Sequence, residues 1–314
     1  MGDEVSELAR SDVGEVARHA LEHAVASAAG RRHAENWAGR QVTRAAVRAL
    51  SREELRAALD RVLLSRYADV GLDALLFTGM LDAVLPEVTA LVGLNDYEWR
   101  HKDVWRHTKQ VVIQSVPRLP LRWAALLHDV GKPRTRRLEG GAVTFIGHPE
   151  VGARLFDRFE RRERLFAREP ELRSQIRFLV LHHQRASQYD QSWTDSAVRR
   201  FARELGEHLH ELLLLARADM TTKHRHKKRR MLYAIKELQD RIIKLRAEDA
   251  KVPPLPSGIG DEIMREFSLP PSRLIGELKR ELEARVEAGE LPQQAEPVVY
   301  LDFLRARRSE LKIP

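Results

Sequence analysis

Six positions carry side chains whose types and spacing suit divalent-metal chemistry. His107 follows Val104 by three residues and precedes Val111 by four, so helical periodicity sets it on their apolar stripe. His128 and Asp129 close the apolar run that starts at Trp123. His148 stands before Pro149, at the expected start of a helix carrying Val151, Leu155 and Phe159. His183 continues the stripe of Ile176, Leu179 and Val180, with His182 beside it as the alternative donor. Asp219 continues the stripe of Leu209, Leu212, Leu213 and Ala216. An unpaired carboxylate on a buried face costs several kcal/mol or more, so Asp219 must be paired or bind a cation. Imidazole nitrogen and carboxylate oxygen together suit first-row divalent metals. Each histidine taken singly reads equally well as a hydrogen-bonded core residue; their number on separate helices is what argues for a shared site.

The elements that must position these residues are helices. Period-3.6 patterning dominates, strand-like alternation is nearly absent, and the expected fold class is all-α. The first ~50 residues, rich in Ala, Arg and Glu, read as helical. Residues 52–65 put Leu55, Leu59, Val62 and Leu63 on one face, and residues 71–93 carry Leu72, Leu75, Leu76, Met80, Leu81 and Leu85, punctuated by Pro86. The Pro-rich stretch Val252 to Gly258 is a joint, followed by two or three short helices and a basic tail from Arg305 to Lys312. Three regions are expected: 1–95, 96–250 and 251–314.

Composition narrows the partners. The 314 residues are 43% hydrophobic and 32% charged, with 54 Lys+Arg against 46 Asp+Glu and a formal net charge of +8. That surplus favours polyanions such as RNA or nucleotides. The chain has no cysteine, which excludes disulfides, thiolate metal sites and Cys nucleophiles. No apolar run approaches the ~20 residues of a membrane helix. The acidic N-terminus is unlike a secretory signal, and its start Met1-Gly2 with Ser6 fits a myristoylation pattern only loosely, an acidic residue following the glycine. A soluble cytoplasmic protein without a membrane partner is expected; homo-oligomerisation stays open.

The local sequences around these residues resemble a known family. Asp103-Val104-Trp105-Arg106-His107-Thr108, then Leu126-Leu127-His128-Asp129-Val130-Gly131-Lys132-Pro133-Arg134-Thr135-Arg136, then Phe145-Ile146-Gly147-His148-Pro149-Glu150-Val151-Gly152-Ala153 follow the order of the HD phosphohydrolase superfamily. They are similar to the HD-containing body of bacterial tRNA nucleotidyltransferases and poly(A) polymerases. Ser51 to Val92, with Thr78-Gly79-Met80-Leu81 and Leu85-Pro86, resembles the helical neck of those enzymes, and Leu255 to Leu291 their C-terminal helical module. The likeness covers roughly residues 51–300. It departs where the nucleotidyltransferase head would need a Gly-rich strand-turn segment and an Asp-x-Asp pair. Neither is present and residues 1–50 are too few to hold the head, so nucleotide addition is not expected.

The resemblance implies a metal-dependent phosphohydrolase with His107, His128, Asp129 and Asp219 at a principal metal. His148 and His183 would serve a second metal, with Asp129 bridging and His182 as the alternative to His183. The ions would be Mn, Fe, Ni, Co or Mg, lowering the pKa of a water toward neutrality. Lys132, three residues after the His-Asp pair, is the best candidate phosphate clamp, with a solvated loop charge as its alternative; Arg136 could add a bidentate contact but reads more readily as a solvated charge. The run Lys223-His224-Arg225-His226-Lys227-Lys228-Arg229-Arg230 suits an RNA backbone or a solvated helix face. Trp99 and Trp105 suit base stacking or, more commonly, core packing. Three functions follow: hydrolysis at RNA ends such as a 2′,3′-cyclic phosphate or 2′-phosphate, hydrolysis of small cyclic or dinucleoside polyphosphates, or non-catalytic RNA binding.

Overall fold

The computed structural model describes residues 2–31, 33–94, 103–140, 142–250 and 253–314. Its elements run α1 (Gly2–Ala28), α2 (Arg44–Arg48), α3 (Arg52–Leu64), α4 (Ala68–Phe77), α5 (Met80–Val84), α6 (Pro86–Thr89), α7 (Val104–Gln114), α8 (Leu119–Leu127), α9 (Lys132–Thr135), β1 (Arg137–Glu139), β2 (Ala142–Thr144), α10 (His148–Glu163), α11 (Pro170–His182), α12 (Asp195–Leu205), α13 (Leu209–Ala218), α14 (Arg225–Asp249), α15 (Ile259–Glu266), α16 (Arg273–Glu287) and α17 (Pro297–Ala306). The fold is all-α. Among the described residues its one sheet is the antiparallel hairpin β1-β2, which the helical periodicity did not foretell. The hairpin is three residues per strand and leaves Leu138 exposed, too short to print an alternation in the sequence. No described helix is long and apolar enough to cross a membrane.

Local chemistry sets the helix ends. Ser51 accepts from the Glu54 N–H at 3.1 Å to start α3, and Asp103 accepts from the Trp105 N–H at 2.9 Å to start α7. The apolar stretch expected over residues 71–93 is broken twice. Gly79 takes a left-handed turn (φ 77°) between α4 and α5, where a Cβ would lie 2.7 Å from Gln41 Oε1. Pro86 then opens α6.

Two compact units form, residues Met1–Ile242 and Ile243–Pro314. In the second, Leu255, Ile259, Ile263, Leu278, Leu282, Tyr300 and Leu304 of the joint and α15–α17 make a separate apolar core. In the first, α4 packs on α1 and α7, and α8 lies among α3, α7, α11 and α13. The neck-like helices α3 and α4 are therefore built into the same core as the helices that carry the histidines.

Helix α8 is fixed by polar bonds as well as by burial. Fully buried Trp123 donates to Asp60 Oδ1 at 2.6 Å, while Arg56 donates to Asp60 Oδ2 at 2.7 Å. Arg122, 5% exposed, donates to the carbonyls of Ser115 (3.0 Å) and Leu63 (2.9 Å), closing the ends of α7 and α3 onto α8. Burial lowers the pKa of this guanidinium. The turn after α8 then meets α10 backbone to backbone: a Cβ on Gly131 would fall 2.1 Å from the His148 carbonyl oxygen and 2.8 Å from the Gly152 nitrogen. Gly131→Ala should therefore cost ~1–3 kcal/mol, the scale of overpacking, read as a lower unfolding midpoint in denaturant. Gly276→Ala, where nothing lies within 4 Å of the added Cβ, should leave the midpoint unchanged or raise it.

Candidate metal centre

Three helices end at one point. His128 is the residue after α8, His183 the residue after α11, and Asp219 the residue after α13. α8, α11 and α13 pack against one another, so their C-termini converge. The last carbonyls of a helix lack intrahelical partners and carry partial negative charge, which favours a cation there. His148 enters from the start of α10 and His107 from the middle of α7.

Backbone anchors aim the rings. His128 Nδ1 lies 2.8 Å from the Ala125 carbonyl, His183 Nδ1 2.8 Å from the Val180 carbonyl, and His148 Nδ1 2.9 Å from the Phe145 carbonyl. A carbonyl can only accept, so each Nδ1 carries a proton, and in the neutral ring Nε2 is left as a lone pair. These Nε2 atoms face inward: His148 Nε2 is 3.1 Å from His183 Nε2, and His107 Nε2 is 3.3 Å from His128 Nε2. His107 Nδ1 is held at 2.8 Å by the Thr221 hydroxyl, a partner that periodicity in the sequence did not reveal. Thr221 lies two residues past Asp219, beyond the end of the apolar stripe.

Asp129 sits between the pairs and is 1% exposed. Its Oδ2 is 3.2 Å from His128 Nε2 and 3.5 Å from His107 Nε2, while Oδ1 is 3.3 Å from His148 Nε2. Asp219 Oδ1 is 3.0 Å from His107 Nε2 and 3.7 Å from His128 Nε2. Two groups could each hold an ion, His107-His128-Asp129 and Asp129-His148-His183, sharing Asp129. Ligand atoms on one first-row ion, bound at about 2.0–2.1 Å, stand roughly 3.0–3.4 Å apart, so the donor spacing fits.

Electrostatics agree with that fit. Burial alone would raise the Asp129 carboxyl, but the His128 and Lys132 charges and hydrogen bonds from His128 and His148 hold it well below the carboxylate range. Asp219 is likewise lowered: the His107 hydrogen bond and the His128 and His107 charges overcome its burial. Burial pushes His183 down to about 3, with the charge on His128 adding to it, so this ring is a neutral donor at physiological pH. In His128 burial is outweighed by Asp129 and Asp219, and the pKa rises.

The other expected residues lie at the periphery. Lys132 Nζ is 2.7 Å from Asp129 Oδ2 and stands over the Phe145 ring. Arg136 is exposed at the end of α9. His182 turns away from the cluster onto the Phe178 ring, 4.4 Å between centroids. Trp105 is buried and donates to Asp73, so it packs the core and offers no face to a base; Trp99 lies outside the described residues. Of the basic run, Lys223 to His226 and Arg229-Arg230 are exposed, while Lys228 reaches Gln114 Oε1 at 3.3 Å.

Comparison with known proteins accords with this geometry. The HD domain family matches residues 104–252. The A-adding tRNA nucleotidyltransferase of Deinococcus radiodurans is 33% identical over 257 residues, 79% of this chain and 57% of that protein. The CC-adding tRNA nucleotidyltransferase of Thermus thermophilus is 33% identical over 270 residues, 82% of this chain and 58% of that protein. A multifunctional CCA protein of Pseudomonas fluorescens is 32% identical over 114 residues, 35% of this chain and 27% of that protein. The chain thus spans under three-fifths of the length of these curated relatives. Residues 104–252 are an HD domain, and the chain is a homologue of the tRNA nucleotidyltransferases along about 80% of its length.

Proposed function

We propose that the protein is a divalent-metal phosphohydrolase that cleaves phosphoester bonds at RNA ends, such as a 2′,3′-cyclic phosphate or a 2′-phosphate. The observation that carries the reading is the pair of inward-facing Nε2 couples flanking Asp129, at 3.1 and 3.3 Å. Imidazole nitrogens that close, with a shared carboxylate between the couples, are the arrangement that a bound cation would satisfy. Bound divalent ions would supply Lewis acidity and an activated water.

The chain's own residues supply the rest. His107, His128 and Asp219 would hold one ion, His148 and His183 a second, and Asp129 both. The Ala125, Phe145 and Val180 carbonyls keep three rings in the donor tautomer, and the Thr221 hydroxyl holds the His107 ring in place. Lys132, a flexible stem with its ammonium already beside Asp129, is placed to meet a phosphoryl oxygen. Two carboxylates beside one ammonium favour cations and, once they are bound, an anionic substrate. The names of the relatives point to tRNA, and the exposed residues Lys223 to His226 with Arg229 and Arg230 are suited to backbone phosphates.

Wild-type protein should carry divalent metal through gel filtration, and Asp129→Ala should lose it, as read by elemental analysis. His182→Ala should keep it. Thr221→Val should weaken metal binding about 10- to 100-fold, the range for removing a ligand's hydrogen-bond partner. Equal metal content in wild type and Asp129→Ala would overturn the reading.

Metal affinity should rise with pH across neutrality. The raised pKa of His128 means that its proton persists to higher pH than an ordinary imidazole's, and an incoming ion must displace it. Titration calorimetry in buffers of different ionisation enthalpy should show proton release on binding.

RNA turnover should fall steeply with salt, while a mononucleotide depends on it less. Neutralising Lys223, Arg225 and Arg229 should reduce the salt slope by about one for each backbone phosphate that the variant leaves without its cation. An unchanged slope would favour the hydrolysis of small nucleotides.

A further inference from the structure

A second concavity is lined by residues that follow two of the candidate ligands in sequence. It encloses about 440 Å³, within the range of small-ligand sites. One wall follows directly from His183: the short 3-10 turn Arg185–Gln188 and the residues up to Gln191. The floor includes Met220, the neighbour of Asp219 and of the Thr221 that holds His107. The opposite wall is α14, through Arg230, Tyr233 and Glu237. The lining thus begins one residue in sequence from Asp219 and three from His183.

Its lining is not that of a phosphate site. The surface is mostly apolar, between buried Tyr189 and Met220 on one side and Tyr233 on the other. Tyr233 is 63% exposed, so its ring stays open to a ligand. The polar groups stand together: Gln191 Nε2 donates to Glu237 Oε2 at 3.5 Å, the weak end of hydrogen bonding, so both are ready to take better partners. A carboxylate and an amide side by side offer acceptors and donors, the groups that read a base edge. Arg230 adds a cation at the mouth.

We propose that this pocket binds the terminal nucleobase of the substrate. The base would slide between Tyr189 and Tyr233, with its amino or imino edge toward Gln191 and Glu237 and its sugar-phosphate toward Asp219. The proposal rests on the phosphohydrolase reading for the identity of the reacting group, and it adds that the substrate must carry a base. Tyr233 is the stacking residue, and Glu237 selects for bases with an exocyclic amino group, adenine and cytosine over uracil.

Two probes separate base recognition from hydrolysis. Wild type, Tyr233→Ala and Ala234→Trp, the last filling the cavity, are assayed on adenosine 2′,3′-cyclic phosphate and on bis(p-nitrophenyl) phosphate, which has no base. Binding of adenosine 3′-monophosphate is measured by calorimetry on the same metal-loaded proteins. The expected result is a fall of roughly tenfold in the ratio of kcat/KM on the cyclic nucleotide to that on the base-free diester, the scale of one base–aromatic stack. Weaker binding of the 3′-monophosphate should accompany it. Glu237→Gln should shift preference from the adenosine toward the uridine cyclic nucleotide. Tyr233 is exposed, so its variant keeps the fold, and circular dichroism checks Ala234→Trp. An unchanged ratio and unchanged binding in both variants overturn the pocket. If the wild type hydrolyses neither probe, the phosphohydrolase reading falls, and the calorimetry still decides whether the pocket takes a nucleotide.

Discussion

Everything at the centre of this molecule depends on one hydrogen bond repeated three times. An imidazole Nδ1–H donates to a backbone carbonyl three residues earlier, at His128, His148 and His183. The bond fixes the tautomer and the ring plane together, and it turns each Nε2 into a lone pair aimed at its neighbours. Such a cluster is poorly satisfied by protein atoms alone. The rings cannot donate to one another, and Asp129 as a carboxylate cannot donate at all. A divalent cation is a partner that all of these atoms can share.

The carbonyls available for this task exist because the helices stop. α8 and α11 each end on the histidine itself, so the oxygens of Ala125 and Val180 lie in the last turn, where the backbone has no further N–H to offer. Termination and ligand orientation are one event. The same geometry brings the negative ends of α8, α11 and α13 to the cluster, so the backbone adds to the field of Asp129 and Asp219. The His128 turn can approach α10 only because residue 131 has no side chain. That approach, backbone on backbone, sets the distance between His148 and Asp129.

Some of this was legible in the residues. His107, His183 and Asp219 stand on apolar stripes of helices, and periodicity alone placed them toward the core. The choice between His182 and His183 followed from phase: His183 lies three residues after Val180, and it is the Val180 carbonyl that anchors its ring. The all-α architecture was legible for the same reason, because long amphipathic stretches print a period that short elements do not. The hairpin β1-β2 has three residues per strand, and Thr221 is a small polar residue just past a helix end, so neither leaves a pattern. The link between Lys132 and Asp129 was half visible. A spacing of three puts them near each other, but nothing in the order of residues says that the ammonium would lie against the carboxylate at 2.7 Å.

The ammonium–carboxylate pair bears on how the centre would handle charge. Lys132 neutralises part of Asp129 on the Oδ2 side, where His107 and His128 also converge, and leaves Oδ1 to His148. The two oxygens of one carboxylate thus sit in different surroundings, one shared with an ammonium and one not. A divalent ion entering beside Oδ2 would compete with the ammonium for the same oxygen and repel it. The four-carbon stem of lysine lets the ammonium move outward without moving the turn that carries it. Outward is toward solvent, since Lys132 keeps 21% of its side chain exposed while Asp129 keeps 2%. Metal binding and movement of the Lys132 ammonium toward solvent would then be coupled by Coulomb repulsion across a single carboxylate, with no rearrangement of the helices required.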